Sequence, residues 1–282
     1  MNRTAVNRTA VNRTAVNRIL TGAVLAGCLL LSSGASALAS PAQDSFPEAA
    51  LYSVVHPGAT LPGVNDYTCT PTGAHPEPVV LVHGFLENSY VNWASLGPAL
   101  AAEGYCVFAI DYGELAGVPV GGFGSIADGA AELAVFVDEV RHATGASTVA
   151  LVGHSKGGTI PRYYVRFLGG SEHVSQIVAL SPPNYPTPGP PVDEALERLN
   201  VPTDTVPGVR YTTIVTRYDQ VVPYTASLLT GPGAHNIVLQ DLCPGNTVEH
   251  TGISYDGVAQ QLVLAALQGE IEDGENKAAV NC

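Results

Sequence analysis

The sequence predicts an α/β fold in which a mostly parallel, doubly wound sheet has helices on both faces. Short apolar segments rich in valine, isoleucine and leucine recur along the chain, as expected of strands that are covered on both faces. Segments with helical periodicity alternate with them, which indicates strand–helix–strand units joined by right-handed crossovers. In such a sheet, functional residues are expected at the carboxyl ends of the strands.

The strands are predicted from their apolar character. The first, Val79 to Val82, contains only valine and leucine, and the third, Thr148 to Val152, leads into a glycine-rich turn. The other predicted strands are Cys106–Ile110, Gln176–Leu180, Tyr211–Thr216 and Asn236–Leu239.

The helices are predicted from apolar stripes and from their position between strands. In the clearest, Ile126 to Val140, apolar residues recur at helical spacing, and Asp128, Glu132 and Glu139 lie off that stripe. Further helices are predicted around Trp93–Ala102, from the turn after Val152 to about Leu168, and over roughly Gly257–Leu267.

The first 39 residues have the pattern of a secretory signal peptide. Four arginines precede the apolar stretch Ile19 to Leu31, and small residues follow, with cleavage expected after Ala39. The repeated Asn-Arg-Thr-Ala-Val unit lacks apolar periodicity, so it is assigned to the charged part of this leader. Leu25 to Cys28 also matches a lipoprotein signal, which leaves anchoring at Cys28 as a minor alternative, although the apolar run continues beyond it.

The chain is therefore predicted to have three parts. Residues 1–39 are the leader, and residues 40–64, which lack clear periodicity, are predicted to follow the surface. Residues 65–282 are predicted to form a single α/β domain, because about 240 mature residues suit one domain with a substantial core. Within it, the proline-rich residues 182–209 are too irregular for core and are predicted to form a short cap over a pocket.

Acidic residues outnumber basic ones. The full chain has 12 basic and 25 acidic residues and a net charge of −13, and loss of residues 1–39 would remove four arginines and lower the charge to −17. Such a surface disfavours nucleic acids and anionic membranes as partners. No second apolar stretch is long enough to span a bilayer, so a secreted, extracellular protein with no stable membrane insertion is expected.

Cleavage would leave an even number of cysteines, which predicts two disulfides in an exported chain. Three pairings are possible. Cys69–Cys106 and Cys243–Cys282 are favoured, because the first would join the segment before the first core strand to the next strand and the second would fix the C-terminal tail. Each would stabilise the fold by about 3–4 kcal/mol if its effect is on chain entropy. No pair has the spacing of metal ligands.

Ser155 is the predicted nucleophile. It lies within Gly153-His154-Ser155-Lys156-Gly157, directly after the third predicted strand and before a helix. A Gly-x-Ser-x-Gly pattern in this setting is typical of a nucleophile elbow, in which small neighbours permit a strained turn. The serine hydroxyl then projects beside a helix N-terminus, which favours negative charge nearby. The alternative is an ordinary strand–helix turn with the serine as helix cap.

A nucleophilic serine needs a histidine base, which follows it in this chain order. Three histidines follow Ser155, and His250 is the one predicted to come after a strand. His173 and His235 are predicted to precede strands, at the wrong end of the sheet, and are interpreted as solvated surface residues. His250 is therefore the predicted base.

The histidine in turn needs a carboxylate that holds its tautomer and stabilises the imidazolium. Asp219 follows the predicted strand that ends at Thr216 and is the first choice, with Asp241 in reserve. The remaining candidates, interpreted as solvated or helix-capping carboxylates, are Asp193, Asp204 and Asp256.

An oxyanion hole is predicted beside the nucleophile. His83-Gly84-Phe85 follows the first strand, so the backbone N–H of Phe85 can reach the elbow, and the N–H of Lys156 is the second predicted donor. Losing one such donor typically costs about 3–4 kcal/mol of transition-state stabilisation.

The motifs at residues 80–85, 153–158, 216–223 and 249–250 together resemble those of small secreted triacylglycerol lipases of the α/β-hydrolase superfamily, the actinomycete-type extracellular lipases and esterases above all. The resemblance runs from about Tyr67 to the C-terminus. It implies hydrolysis of carboxylic esters without a metal or organic cofactor, with Ser155, Asp219 and His250 as the triad. Lys156 departs from it, because glutamine or methionine is more common there, and its side chain is interpreted as pointing to solvent.

The expected substrate is a lipid or small-molecule ester, most of all an acylglycerol, and the protein is expected to be a monomer that contacts a lipid–water interface only transiently. The apolar residues of the glycine-rich stretch 113–124 would either line an acyl site or belong to the core; they are Leu115, Val118, Val120 and Phe123. The same triad would also serve a short-chain carboxylesterase, a polyester depolymerase, a thioesterase or an acyltransferase. A noncatalytic exported binding protein with this fold is the alternative of a different class.

Overall fold

The structure is a computed structural model that describes residues 40–187, 193–272, 275–276 and 280–282. The leader predicted over residues 1–39, with the alternative anchor at Cys28, lies outside the described residues. Within the described ranges, no helix is both long enough and apolar enough to cross a bilayer.

Among the described residues, six parallel strands form the main sheet in the order β2-β1-β3-β4-β5-β6. Their bounds are β1 Val79–Val82, β2 Val107–Ile110, β3 Val149–His154, β4 Val174–Leu180, β5 Arg210–Val215 and β6 Ala234–Val238. Chain direction across the sheet reverses at β1, which lies between β2 and β3. The predicted doubly wound parallel sheet is thus confirmed, and the crevice at the reversal point is where this architecture places ligands.

Helices cover both faces of the sheet. Their bounds are α1 Phe46–Val55, α2 Ser89–Trp93, α3 Leu96–Ala102, α4 Ile126–Thr144, α5 Lys156–Phe167, α6 Glu194–Leu199, α7 Leu239–Leu242 and α8 Gly257–Leu267. All five stripe residues predicted for α4 are buried. Ser125 and Asp128 form a capping box at its start, and Gly145 ends it in the left-handed conformation.

The core consists of two apolar layers, one on each face of the sheet. Alternation along β1 shows how they are built, because Val79 and Leu81 pack in one layer and Val80 and Val82 in the other. Residues from α1, α2, α3 and α8 belong to the first layer, and residues from α4, α5 and α6 belong to the second. Burial on both faces explains why the strands lack polar alternation in the sequence.

Three segments differ from the sequence-based expectation. The helix predicted around Trp93–Ala102 is two helices, α2 and α3, and Pro98, which has no N–H for a continuous helical ladder, lies in the first turn of α3. Residues 40–64 contain α1, whose exposed apolar residues at Leu51 and Val54 obscure the periodicity. The proline-rich segment 182–209 contains the short helix α6, which Asp193 caps.

The C-terminal region adds a further difference, because residues 271–272 and 275–276 pair as the antiparallel strands β7 Ile271–Glu272 and β8 Glu275–Asn276, which the sequence did not predict. Two disulfides join Cys69 to Cys106 and Cys243 to Cys282, the pairing that the sequence favoured. Their Cα–Cα distances are 5.7 and 5.5 Å, within the usual range for a disulfide.

Candidate active site

Ser155 lies at the sharp turn between β3 and α5. Its backbone has φ 52° and ψ −127°, a strained conformation for a residue with a side chain. The turn is tight because a Cβ on Gly153 would lie 2.1 Å from the carbonyl oxygen of Gly157. The Ser155 N–H donates to the carbonyl of Leu180 at 2.8 Å, which fixes the turn to the end of β4. Strain held in place by surrounding structure is characteristic of a functional turn.

The structure brings together the three side chains that the sequence singled out. Nε2 of His250 lies 2.9 Å from the Oγ of Ser155, and Nδ1 of His250 lies 2.7 Å from Oδ2 of Asp219. The His250 and Asp219 side chains are only 7% and 1% exposed, so little water competes for the second contact. This geometry lets the hydroxyl pass its proton to Nε2 while the carboxylate holds the Nδ1–H tautomer.

Backbone donors keep Asp219 oriented and ionised. Its Oδ1 accepts hydrogen bonds from the N–H groups of Val221 at 2.9 Å and Val222 at 2.7 Å, which leaves Oδ2 for the histidine. Burial alone would raise the pKa of the Asp219 carboxyl, but the hydrogen bond and charge of His250 and the two backbone donors together lower it below its ordinary value. The carboxyl therefore remains a carboxylate.

A polar network connects the Asp219 turn to the His250 loop. The Thr216 hydroxyl, at the end of β5, donates to the carbonyl of Val248 at 2.7 Å and accepts from the Gln240 amide at 2.9 Å. Gln240 also accepts the N–H of Arg217 at 2.8 Å. These contacts explain how two loops that follow different strands hold their side chains in register.

The reserve carboxylate and the other aspartates lie elsewhere. Asp241 forms an exposed ion pair with Arg217, 2.7 Å between Oδ1 and Nη2. Asp193 and Asp256 cap α6 and α8, as interpreted from the sequence. Asp204 is not a solvated carboxylate, because it is 4% exposed and accepts the N–H groups of Thr230 and Gly231.

Of the two other histidines, one departs from its expected position. His235 lies within β6 rather than before it, since that strand begins at Ala234. His173 does precede β4. Both are half-buried, not solvated, and His250 is the one whose ring contacts Ser155.

Residues 83–86, named the oxyanion loop after the role predicted for them, lie against the turn that carries Ser155. A Cβ on Gly157 would lie 2.2 Å from the carbonyl oxygen of Val82, so glycine there allows the start of α5 to approach the end of β1. The Gly84 N–H donates to both Oε2 of Glu87 at 2.9 Å and Oδ1 of Asn92 at 3.0 Å. The backbones of Phe85 and Lys156, the predicted oxyanion donors, thus belong to two segments that pack closely at the same edge of the sheet.

His83, at the start of this loop, is buried and neutral. Its Nδ1–H donates to the carbonyl of Gly84 at 2.8 Å, and its Nε2 accepts the N–H of Tyr112 at 3.4 Å. Oδ1 of Asp111 lies 3.8 Å from Nε2, too far for a hydrogen bond, so one nitrogen has an acceptor and the other a donor, which a neutral ring satisfies. Burial is also the main reason why the pKa of His83 lies below its ordinary value. His83 supports the loop backbone instead of taking part in proton transfer.

The side chain of Lys156 does not point to solvent, contrary to the interpretation from the sequence. Its Nζ donates to the carbonyl oxygens of Gly122 and Gly124, at 2.7 Å each. Half-burial lowers its pKa, and the facing carboxylates of Asp193, Asp128 and Glu132 oppose that effect. Lys156 thereby connects the glycine-rich stretch 113–124 to the turn at Ser155. The sequence did not predict this contact, because the two segments are far apart along the chain.

The glycine-rich stretch contributes surface rather than core. Leu115 and Val118 are 50% and 41% exposed, and the Phe123 ring packs edge-on against Phe85, with 5.4 Å between ring centroids. Phe85 and Leu86 are each 51% exposed. Apolar side chains on these two loops are therefore exposed, and the Phe85–Phe123 contact joins the stretch to residues 83–86.

The sequence reasoning missed one further pair beside the triad. His154, which precedes Ser155, and Glu87 are both buried, and their side chains contact each other at 3.2 Å. His154 itself could be noticed in the sequence, since it occupies a variable position of the Gly-x-Ser-x-Gly motif. Its partner could not, because Glu87 lies 67 residues away along the chain. Within the described residues, no group of three or more His, Cys, Asp or Glu side chains is arranged to hold a metal ion.

Similarity to known proteins agrees with this architecture. The sequence profile of the alpha/beta hydrolase fold matches residues 77–220. Aspergillus fumigatus lipase B has a TM-score of 0.58 at 17% identity, over 70% of this chain and 55% of its own, so the chain spans about half the length of that lipase.

Two further solved structures match over nearly their whole length. The mature form of a Bacillus licheniformis lipase has a TM-score of 0.53 at 17% identity, with 70% of this chain and 94% of that chain covered. A Paleococcus ferrophilus monoacylglycerol lipase has a TM-score of 0.50 at 18% identity, with 69% and 96% covered. At these identities the likeness is one of fold, whereas the profile match covers half of the sequence. The chain belongs to the α/β-hydrolase fold family.

Proposed function

We propose that this protein is a serine hydrolase that cleaves carboxylic esters through an acyl-enzyme, with Ser155 as nucleophile, His250 as base and Asp219 as the orienting carboxylate. The observation that carries the proposal is the continuous contact from the Ser155 hydroxyl through the His250 ring to the Asp219 carboxylate, at 2.9 and 2.7 Å. The strained elbow and the family membership support it.

The reaction has two steps. His250 Nε2 takes the proton of Ser155 as the serine oxygen attacks the ester carbonyl carbon, and the protonated ring then gives that proton to the departing alkoxide. Water, deprotonated by the same nitrogen, next attacks the acyl-serine carbonyl, and Ser155 leaves with the proton while the carboxylic acid is released. Asp219 stabilises the imidazolium formed in each step without accepting its proton.

The backbone N–H groups of Phe85 and Lys156 are proposed as the oxyanion donors. Support comes from Gly157, which permits close packing of the two segments that carry them, and from the fixed Gly84 backbone. Donors held by surrounding structure need no reorganisation when the oxyanion forms, and this preorganisation is their main contribution to rate.

Acylglycerols are the proposed substrate class, as the resemblance of the sequence motifs to actinomycete-type lipases implies. Exposed apolar side chains on the loop after β1 and on the turn that carries Asp219 favour an aliphatic acyl chain over a charged one; they are Phe85, Leu86, Tyr218 and Val221. The acidic net charge of the chain would also assist release of a carboxylate product.

We also propose that the protein is exported, with residues 1–39 as leader and residues 65–282 as the catalytic domain. Two disulfides are compatible with an oxidising compartment. N-terminal sequencing of protein secreted by the native host or a related one tests the cleavage after Ala39.

The activity is tested by comparing hydrolysis of p-nitrophenyl esters of increasing chain length, and of emulsified triacylglycerol, by wild-type protein and Ser155→Ala. We expect turnover that rises from acetyl to medium-length chains in the wild type and falls about 10⁶-fold in the variant. A phosphonate ester should label the wild type at Ser155. Undiminished turnover in Ser155→Ala would contradict the assignment, and a preference for acetyl esters would restrict the enzyme to short-chain esterase activity.

A further inference from the structure

Both ring nitrogens of His154 face hydrogen-bond acceptors. Nδ1 lies 3.2 Å from Oε2 of Glu87, and Nε2 lies 2.9 Å from the backbone carbonyl oxygen of His250. A carbonyl oxygen can only accept, and a neutral imidazole has a single N–H. With Glu87 ionised, both contacts are hydrogen bonds only if His154 is an imidazolium. The neighbouring His83, with one donor and one acceptor around its ring, shows the neutral arrangement.

Glu87 supplies the opposite charge in the same buried space. The His154 side chain is fully buried, and the Glu87 side chain is 5% exposed. A lone charge there would be strongly disfavoured, whereas a hydrogen-bonded pair is tolerated. Burial alone would raise the pKa of Glu87 and lower that of His154, but their mutual charge and hydrogen bond reverse both directions. Both groups are therefore held in their charged forms.

The surrounding groups are compatible with this charge distribution. Besides each other, the pair faces the neutral His83, the phenols of Tyr112 and Tyr255, and the His250–Asp219 pair of the triad. The rings of His154 and His250 lie 5.0 Å apart between centroids. Proximity to Glu87 and burial raise the pKa values of both phenols, so they remain uncharged.

We propose that Glu87 and His154 form a permanently charged buried pair that positions the oxyanion loop and the catalytic histidine relative to each other. Oxygen Oε2 of Glu87 accepts the Gly84 N–H of the oxyanion loop at 2.9 Å and the Nδ1–H of His154, whose Nε2–H donates to the His250 backbone. This inference rests on the proposed function, because the positioned groups are those of the acyl-transfer mechanism. Glu87 and His154 are positioning residues, since neither contacts the Ser155 hydroxyl or the scissile bond.

The continuous link explains why the pair is polar at all. The two loops that it connects follow β1 and β6, and a hydrophobic filling could occupy the same space without orienting a backbone N–H or a backbone carbonyl. Loss of the link would let the Gly84 backbone and the His250 backbone shift independently. A displacement of about 1 Å between catalytic groups can lower the rate about 10²-fold.

The charge state is tested directly by nitrogen NMR of protein labelled with ¹⁵N-histidine, with the His154 signals assigned from their absence in His154→Gln. We expect both ring nitrogens of His154 to carry a proton at pH 8 in the wild type and only one to do so in Glu87→Gln. A singly protonated ring in the wild type at pH 8 overturns the proposal. This measurement needs no turnover, so it stands or fails separately from the proposed ester hydrolysis.

The positioning role is tested by kinetics on Glu87→Gln, His154→Gln and the double variant, each normalised to the fraction of Ser155 labelled by a phosphonate. We expect each single variant to lose about 10²-fold in kcat with KM nearly unchanged, and the double variant to lose no more than the worse single one, because one link is broken in all three. Asp138→Asn, which breaks an exposed ion pair with Arg141, is the matched control and should retain wild-type kcat.

Two results would overturn this role. One is a wild-type kcat per labelled serine in Glu87→Gln, which would reduce the pair to a contributor to folding yield. The other is multiplicative loss in the double variant, which would mean that the two residues act independently. If Glu87→Gln fails to fold, His154→Gln and the NMR measurement on the wild type still decide the proposal.

Discussion

Two carboxylate–histidine pairs lie side by side beneath the nucleophile, and they differ in what the second ring nitrogen faces. In the Asp219–His250 pair, Nε2 faces the hydroxyl of Ser155 at 2.9 Å. In the Glu87–His154 pair, Nε2 faces a backbone carbonyl, also at 2.9 Å. A hydroxyl can either donate or accept a proton, whereas a carbonyl oxygen has no proton to give. The first histidine can therefore act as a base, and the second is held protonated.

The comparison shows that residue types alone do not define a catalytic role. Both pairs combine a carboxylate with an imidazole and both are mostly buried. His154 ends β3, and the other three residues follow strands of the same sheet. The two pairs differ in the group that faces the second ring nitrogen. In the Glu87–His154 pair this group is a backbone carbonyl contributed by another loop. Proton transfer is assigned to the pair whose environment leaves one nitrogen free to change its protonation state.

The strongest test of this comparison is to make the same substitution in both histidines. His250→Gln removes the base and should lower kcat about 10⁶-fold, whereas His154→Gln keeps an N–H donor for the His250 carbonyl and should lower kcat about 10²-fold. Rates on a water-soluble p-nitrophenyl ester, together with circular dichroism to establish folding, measure the difference. Equal losses in two folded variants would contradict the division of roles.

The sequence predicted the parallel sheet and the strand ends that carry Ser155, Asp219 and His250, because those features leave local signals. Apolar strands covered on both faces and a Gly-x-Ser-x-Gly turn can be read within a few residues. The contacts of His154 with Glu87 and of Lys156 with Gly122 could not be read, since each joins segments brought together only by the fold. The helix at α1 was missed because apolar residues lie on its exposed side as well as its buried side.

A substitution of Lys156 is expected to have a smaller effect, because its side chain acts through the glycine-rich stretch that packs on the oxyanion loop. Its contacts hold Gly122, where an added Cβ would lie 2.8 Å from the Cα of Phe85, so this glycine packs directly on the oxyanion loop. We expect Lys156→Met to lower kcat/KM about tenfold, and to lower the free energy of unfolding by only about 1 kcal/mol since the ammonium is partly exposed.

Lys156→Arg, which keeps the charge, is the matched control and should lose less activity. The backbone N–H of residue 156 is retained in both variants, so any change reports the side chain rather than the oxyanion donor. Limited proteolysis should cleave the 113–124 stretch faster in Lys156→Met. Wild-type kcat/KM and unchanged proteolysis in that variant would show that the tether has no effect on the site.

The smallest expected effect, on stability against pH, distinguishes the buried pair from ordinary surface charges. The folded-state pKa of Glu87 lies below its ordinary value of 4.5, so its contribution is present above that value and is lost as pH falls through the lower folded pKa. The folded-state pKa of His154 lies above its ordinary value of 6.5, so its contribution is full below that value and is lost as pH rises through the raised folded pKa. The pair therefore stabilises the fold most between pH 4.5 and 6.5.

Urea unfolding of the wild type and of the Glu87→Gln, His154→Gln double variant across this range measures the prediction. Replacing a buried ion pair with neutral groups can raise or lower the overall stability, so the offset between the two curves is not informative. The shape of the difference between the two curves is informative, because Asp219 titrates in both proteins and its contribution cancels. We expect the difference to peak in the stated window and to fall on each side, because the pKa of Glu87 is lowered and that of His154 is raised in the folded state. Asp138→Asn should give a flat difference, and a flat difference for the double variant as well would show that folding shifts the pKa of neither Glu87 nor His154.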